Sequence, residues 1–81
     1  MKTSKEANAV KTLIESFSSA VKISKVKSIT VEKRILFSGY DVIITPSERT
    51  NIEWLADTLH EDISQFAPLV AFHNDGVIII S

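Results

Sequence analysis

The sequence predicts an α+β fold: a two-layer sandwich in αββαββ order, with a four-stranded antiparallel sheet and two helices on one of its faces. Three observations predict it. Two segments carry apolar residues at helical spacing. The stretch after each of them alternates, or runs apolar, at strand length. The chain's two glycines, Gly39 and Gly76, each fall where a strand pair would turn. Two helices with one apolar stripe apiece need a common partner, and packing both on one sheet face supplies it.

In the first helix, Val10, Leu13, Ile14, Phe17 and Val21 recur at i, i+3, i+4, i+7 and i+11, with Ala20 beside them. Thr3-Ser4-Lys5-Glu6 fits a capping box, Thr3 accepting from the backbone near Glu6 and Glu6 reaching back. The helix is expected from Ser4 to Ala20 or Val21, with Lys22-Ile23-Ser24-Lys25 as a loop.

The next stretch alternates. Ile29, Val31, Ile35 and Phe37 share one face, with Lys33 the flaw, while Ser28, Thr30, Glu32, Arg34 and Leu36 point the other way. This reads as one long strand that turns at Ser38-Gly39 and returns through Tyr40, Val42 and Ile44, with Asp41 and Ile43 opposite. A turn at Glu32-Lys33-Arg34, with Gly39 in a bulge, is the alternative. The Ser38-Gly39 turn is preferred because it keeps the alternation whole.

Pro46 ends that strand, since it has no N–H for a ladder. Ser47 or Thr50 is expected to cap the second helix, and Thr50-x-x-Glu53 matches a capping box. Ile52, Leu55, Ala56, Leu59, Ile63, Phe66 and Ala67 form its stripe, and Pro68 stops it. Leu69 to His73 and Val77 to Ile80 are two short strands joined through Asn74-Asp75-Gly76. The last strand is four β-branched residues in succession, a pattern of burial on both faces.

The helix-facing set is expected to hold Ile29, Val31, Ile35, Phe37, Tyr40, Val42 and Ile44, with Val70, Phe72 and Val77 or Ile79 from the last hairpin. Leu36, Ile43, Leu69, Ala71, Ile78 and Ile80 then point away from the helices. That is too much apolar surface for a freely solvated face.

The chain has 81 residues, enough for a single domain spanning 1–81. A domain this short buries only about 60–65% of the surface its unfolded chain exposes, so a dimer partner would help it. With 44% apolar and 23% charged residues the composition is globular rather than disordered. There is no cysteine, hence no disulfide framework, thiolate nucleophile or cysteine-bound metal. The polar start and the brevity of the longest apolar run, Val77 to Ile80, predict a soluble, cytoplasmic protein that neither enters nor spans a membrane.

The net charge of -1 conceals a split. Residues 1–34 hold eight basic residues against three acidic, and residues 35–81 hold Arg49 against seven acidic. Neighbouring elements neutralise one another or the surface is polarised; the sequence leaves both open.

No motif for catalysis stands out. No serine sits in a nucleophile elbow, and both glycines are taken by hairpins, which leaves none for a phosphate loop. Asp57, His60 and Glu61 share a helical turn, yet that spacing is more often a polar flank than a metal site. The chain is expected to be no enzyme and to need no cofactor or metal.

The expected role is that of a small regulatory, inhibitory or adaptor protein. It would act by protein–protein contact, as a homodimer and with a further protein. Leu36, Ile43, Ile78 and Ile80 on the outer sheet face are the first contact candidates. Trp54, Asp57 and Glu61 are the second: Glu53, Asp57 and Glu61 draw an acidic line on the second helix, with Trp54 beside it and off the apolar stripe. The alternative is a nucleic-acid-binding accessory protein using Lys22, Lys25, Lys27, Lys33 and Arg34 as a basic patch. No aromatic residue interleaves with those cations, which weakens it.

Overall fold

The computed structural model describes residues 1–81 and contains seven elements. These are α1 (Ser4–Phe17), α2 (Ser19–Ser24), β1 (Ser28–Lys33), β2 (Tyr40–Thr45), α3 (Ile52–Ser64), β3 (Ala71–Asn74) and β4 (Val77–Ile80). The strands form one antiparallel sheet in the order β1-β2-β4-β3. α1 packs on β1 and β2, and α3 on β3 and β4. The chain is an α+β two-layer sandwich. Its thinnest extent, 17 Å, accommodates one sheet and one helical layer and no more.

The first helix is broken where a continuous one was expected. α1 begins as the capping pattern requires, Thr3 Oγ1 accepting from the Glu6 N–H at 3.1 Å. It ends at Ser18, whose ψ of 107° leaves the helical region. The Ser18 N–H still donates to the Ile14 carbonyl at 3.0 Å, and its Oγ accepts from the Val21 N–H at 3.3 Å. One buried serine thus closes α1 and opens α2, so Lys22-Ile23-Ser24 is helical rather than loop. The bend rotates the stripe. Ala7 and Ile14 are buried under α1 and Ala20 and Val21 under α2, while Leu13 and Phe17 overhang.

The first hairpin follows neither expected turn. β1 ends at Lys33, β2 starts at Tyr40, and residues 34–39 form a six-residue loop. A turn at Ser38-Gly39 would have set Lys33 opposite Ile44 and Val31 opposite Pro46. The observed register sets Ile29 opposite Ile44, Val31 opposite Val42 and Lys33 opposite Tyr40. This four-residue shift keeps parity, matches aliphatic to aliphatic over the core and moves the lysine to the rim. Its consequence is that Ile35, Leu36 and Phe37 leave the sheet altogether.

The loop is tied at its base. The Arg34 N–H donates to the Gly39 carbonyl at 3.0 Å, and Arg34 Nε and Nη2 both reach Asp41 Oδ1 at 2.9 Å. Gly39 has φ +113°, and a Cβ there would stand 2.8 Å from the Met1 carbonyl oxygen. That oxygen accepts from the Tyr40 N–H at 2.8 Å and has little freedom to retreat. Gly39→Ala should therefore cost about 1–3 kcal/mol, read as a lower urea midpoint at unchanged slope.

α3 is capped by Asn51, not by Ser47 or Thr50: Asn51 Oδ1 accepts from the Trp54 N–H at 3.1 Å. Ser47 and Thr50 instead bond each other at 2.6 Å and the Ser24 carbonyl at 3.0 and 3.4 Å, pinning this loop to α2. The helix ends at Ser64, before Pro68, in a tight turn in which the Phe66 and Ala67 N–H groups both donate to the Ile63 carbonyl. Leu55, Ala56, Leu59 and Ile63 are buried as the stripe predicts, but Phe66 is exposed.

The last hairpin turns through Asp75 (φ 52°) and Gly76 (φ 79°), the two left-handed positions of a type I′ turn. Its parity is the reverse of the expectation. β4 enters the sheet beside β2 with Val42 opposite Ile80 and Ile44 opposite Ile78, so Ile78 and Ile80 lie under the helices with 0% exposure. Ala71 pairs with Ile80 and shares the inner face, and Leu69 packs against the same core. Val77, Ile79, Phe72 and Val70 face outward instead. In a run of four β-branched residues nothing local marks the inner side; the partner strand decides it.

Candidate functional site

No helix covers the second face of the sheet. The pairing draws one row across all four strands: Thr30 opposite Ile43, Ile43 opposite Ile79, Ile79 opposite Phe72. Directly opposed side chains in such a row stand about 4.5–5.5 Å apart at Cβ, close enough to form a continuous surface. Val77 flanks the row on one side. Val70 flanks it on the other, held in place by paired backbone bonds with Ser81 at 3.0 Å. Val70 and Phe72 are exposed, and Ile43, Val77 and Ile79 are partly so. The β1 end of the face is polar, with Ser28, Thr30 and Glu32. An apolar patch over three strands with a hydrophilic margin is the anatomy of a contact surface.

The other expected contact residues lie elsewhere. Leu36 sits at the tip of the β1–β2 loop with Ile35 and Phe37, at 87%, 97% and 74% exposure, packing against nothing. Ile78 and Ile80 are core residues and are unavailable to any partner. Trp54, Asp57 and Glu61 do share the exposed side of α3, opposite its buried stripe. Trp54 borders a shallow hollow of about 320 Å³ that it lines with Ile23 of α2 and polar residues of the β2–α3 loop. Asp57 and Glu61 make no ion pair within the chain.

A cleft that periodicity did not reveal opens between the helices. The α1 and α3 backbones stay more than 8 Å apart at every Cα pair, and α2 packs on both. Leu13, Ile14 and Phe17 on one side and Ile63 and Phe66 on the other line a cleft of about 440 Å³, with Asp62, Ser18, Ser19 and Gln65 at its margin. In the sequence Leu13, Phe17 and Phe66 belong to clean stripes and read as core. The break at Ser18 and the early end of α3 expose them.

The basic residues do not form one patch. Lys22 belongs to α2, Lys25 and Lys27 lie just before β1, and Lys33 and Arg34 lie at its far end, roughly 20 Å from its start at 3.3 Å per residue. Three of the five are engaged: Lys22 Nζ donates to the Ser16 carbonyl at 2.9 Å, Lys27 pairs with Glu48 at 3.4 Å, and Arg34 holds Asp41. The N-terminal cations thus meet acids of the C-terminal half, and the charge split is partly neutralised between neighbours.

Chemistry-bearing groups are similarly occupied. His60 Nδ1 accepts from the Ala71 N–H at 3.2 Å and so fastens α3 to β3 rather than facing Asp57 and Glu61. No three histidine or acidic side chains converge, and every buried side-chain polar atom has a partner. No helix is long and apolar enough to cross a membrane. Comparison with protein-family models, curated proteins and solved structures finds no match to this chain.

Proposed function

We propose that this chain is a small non-enzymatic regulatory, inhibitory or adaptor protein that works by protein–protein contact and pairs with a second copy of itself through the open sheet face. One observation carries the reading: the row Ile43–Ile79–Phe72, with Val70 and Val77 around it, lies on a face the chain's own helices leave bare. Two such faces packed together form a core about 10 Å thick, as in any aligned sheet pair, and leave the polar β1 ends at the rim. The pairing also gives a short domain the burial it cannot achieve alone. Trp54 with Asp57 and Glu61 remains on the far side of the molecule, accessible to a basic protein partner while the sheets are paired. The cysteine-free composition suits a reducing, cytoplasmic setting.

Sedimentation velocity with light scattering over a micromolar dilution series tests this. The expected result is a dimer that dissociates on dilution; a monomeric mass throughout would overturn it. A nucleic-acid role has less to stand on, because the five cations lie at two ends of a strand and three are already engaged.

A further inference from the structure

The molecule carries a peg and a slot. The peg is the loop tip Ile35-Leu36-Phe37, three consecutive large apolar side chains clear of the body, on a base tied by the Arg34–Asp41 pair. The slot is the cleft between α1 and α3, walled by Leu13, Phe17 and Phe66. Its volume, about 440 Å³, lies within the range of sites that enclose small apolar ligands, and the side chains of a loop tip are of that size.

Charge agrees with shape. α3 presents its C-terminal end to the slot, the partially negative end of the macrodipole, while the end of α1 is already met by Lys22 Nζ, 2.9 Å from the Ser16 carbonyl. α3 has no basic residue in its last turn, and Asp62 adds a full negative charge at the margin. Beside the peg stand Lys33, which makes no ion pair, and the Met1 ammonium, which donates to the Tyr40 carbonyl at 3.1 Å. An apolar tip with cations at its base matches an apolar slot with a negative rim.

We propose that the tip of one molecule seats in the α1–α3 cleft of a second copy, by a contact separate from the sheet face. Such a contact is heterologous, tip to slot. It closes when two copies exchange tips and extends into a chain when they do not. Combined with face-to-face pairing it yields assemblies larger than a dimer, at concentrations above those at which the sheet faces pair.

The test uses the full chain with Ile79→Glu added to disable the sheet face, and reads mass by light scattering. In that background Leu36→Asp or Phe66→Asp should each weaken association at least about 30-fold, the effect of losing a central anchor. Both positions are exposed, so folding is retained and is checked by circular dichroism. The decisive arm mixes the two. The Leu36→Asp chain keeps a working slot and the Phe66→Asp chain a working tip, so an equimolar mixture should form a one-to-one complex although neither variant associates alone. Lys33→Glu should weaken the same contact and Asp62→Lys restore it. Absence of any association with Ile79→Glu alone, indifference to both tip and slot variants, or no complex in the mixture would each overturn the proposal. Since the sheet face is already disabled, none of these outcomes depends on whether that face pairs.

Discussion

Ile78→Ala should remove about 2–5 kcal/mol of stability, and Ile79→Thr, one residue on, less than about 1 kcal/mol. Ile78 has 0% exposure and lies opposite Ile44 beneath the helices, so truncation leaves a cavity that a close-packed interior refills only in part. Ile79 points to the open face, and threonine keeps the β-branch its strand prefers. A domain of this size is stabilised by roughly 0.05–0.15 kcal/mol per residue, so the first loss is a large fraction of the total. It should lower the melting temperature by about 8–40 °C, at 4–8 °C per kcal/mol. The measurement belongs at a dilution where the chain is monomeric, because Ile79 at a paired face would contribute through the dimer. Equal losses at both positions, or a larger one at Ile79, would reverse the parity of β4 and with it the identity of the open face.

That contrast also marks where the sequence stops being legible. The layer architecture, the antiparallel sheet, the α3 stripe and the Asp75-Gly76 turn were readable because each rests on local chemistry: a period, a cap, a residue that accepts positive φ. The inner side of β4 was not, since Val77-Ile78-Ile79-Ile80 offers no alternation and only the pairing of Val42 with Ile80 fixes it. The first hairpin failed differently. Alternation through Ile35 and Phe37 was real, but exchanging Lys33 opposite Ile44 for Lys33 opposite Tyr40 outweighs two more aliphatic residues in the strand. Leu13, Phe17 and Phe66 were lost to the same cause, because a stripe says which side of a helix is apolar and not how far its neighbour reaches. Of the expected contact residues the open sheet face keeps only Ile43, with Leu36 in the β1–β2 loop and Trp54, Asp57 and Glu61 on α3. It exchanged Ile78 and Ile80 for Ile79, Phe72 and Val70.

The second large effect is expected at that corrected surface. Phe72→Glu with Ile79→Glu should raise the dimer dissociation constant by about 10³-fold or more while the monomer stays folded. The two residues are opposite one another, at the centre of the apolar patch and away from the core. In a two-fold pairing each appears twice, so a cost of about 2 kcal/mol per copy of a central anchor is paid on both sides of the interface. Facing carboxylates add repulsion in a setting stripped of water. The wild-type melting temperature should rise with protein concentration, as mass action requires when only the folded state associates, and that of the double variant, with Leu36→Asp added to remove the loop-tip contact, should be flat. Trp54→Ala is the control: Trp54 lies on the helical layer, so its loss should leave the dimer mass unchanged. A double variant that sediments like the wild type would show that the bare face is not what the molecule pairs through. Dissociation by Trp54→Ala instead would move the interface to α3.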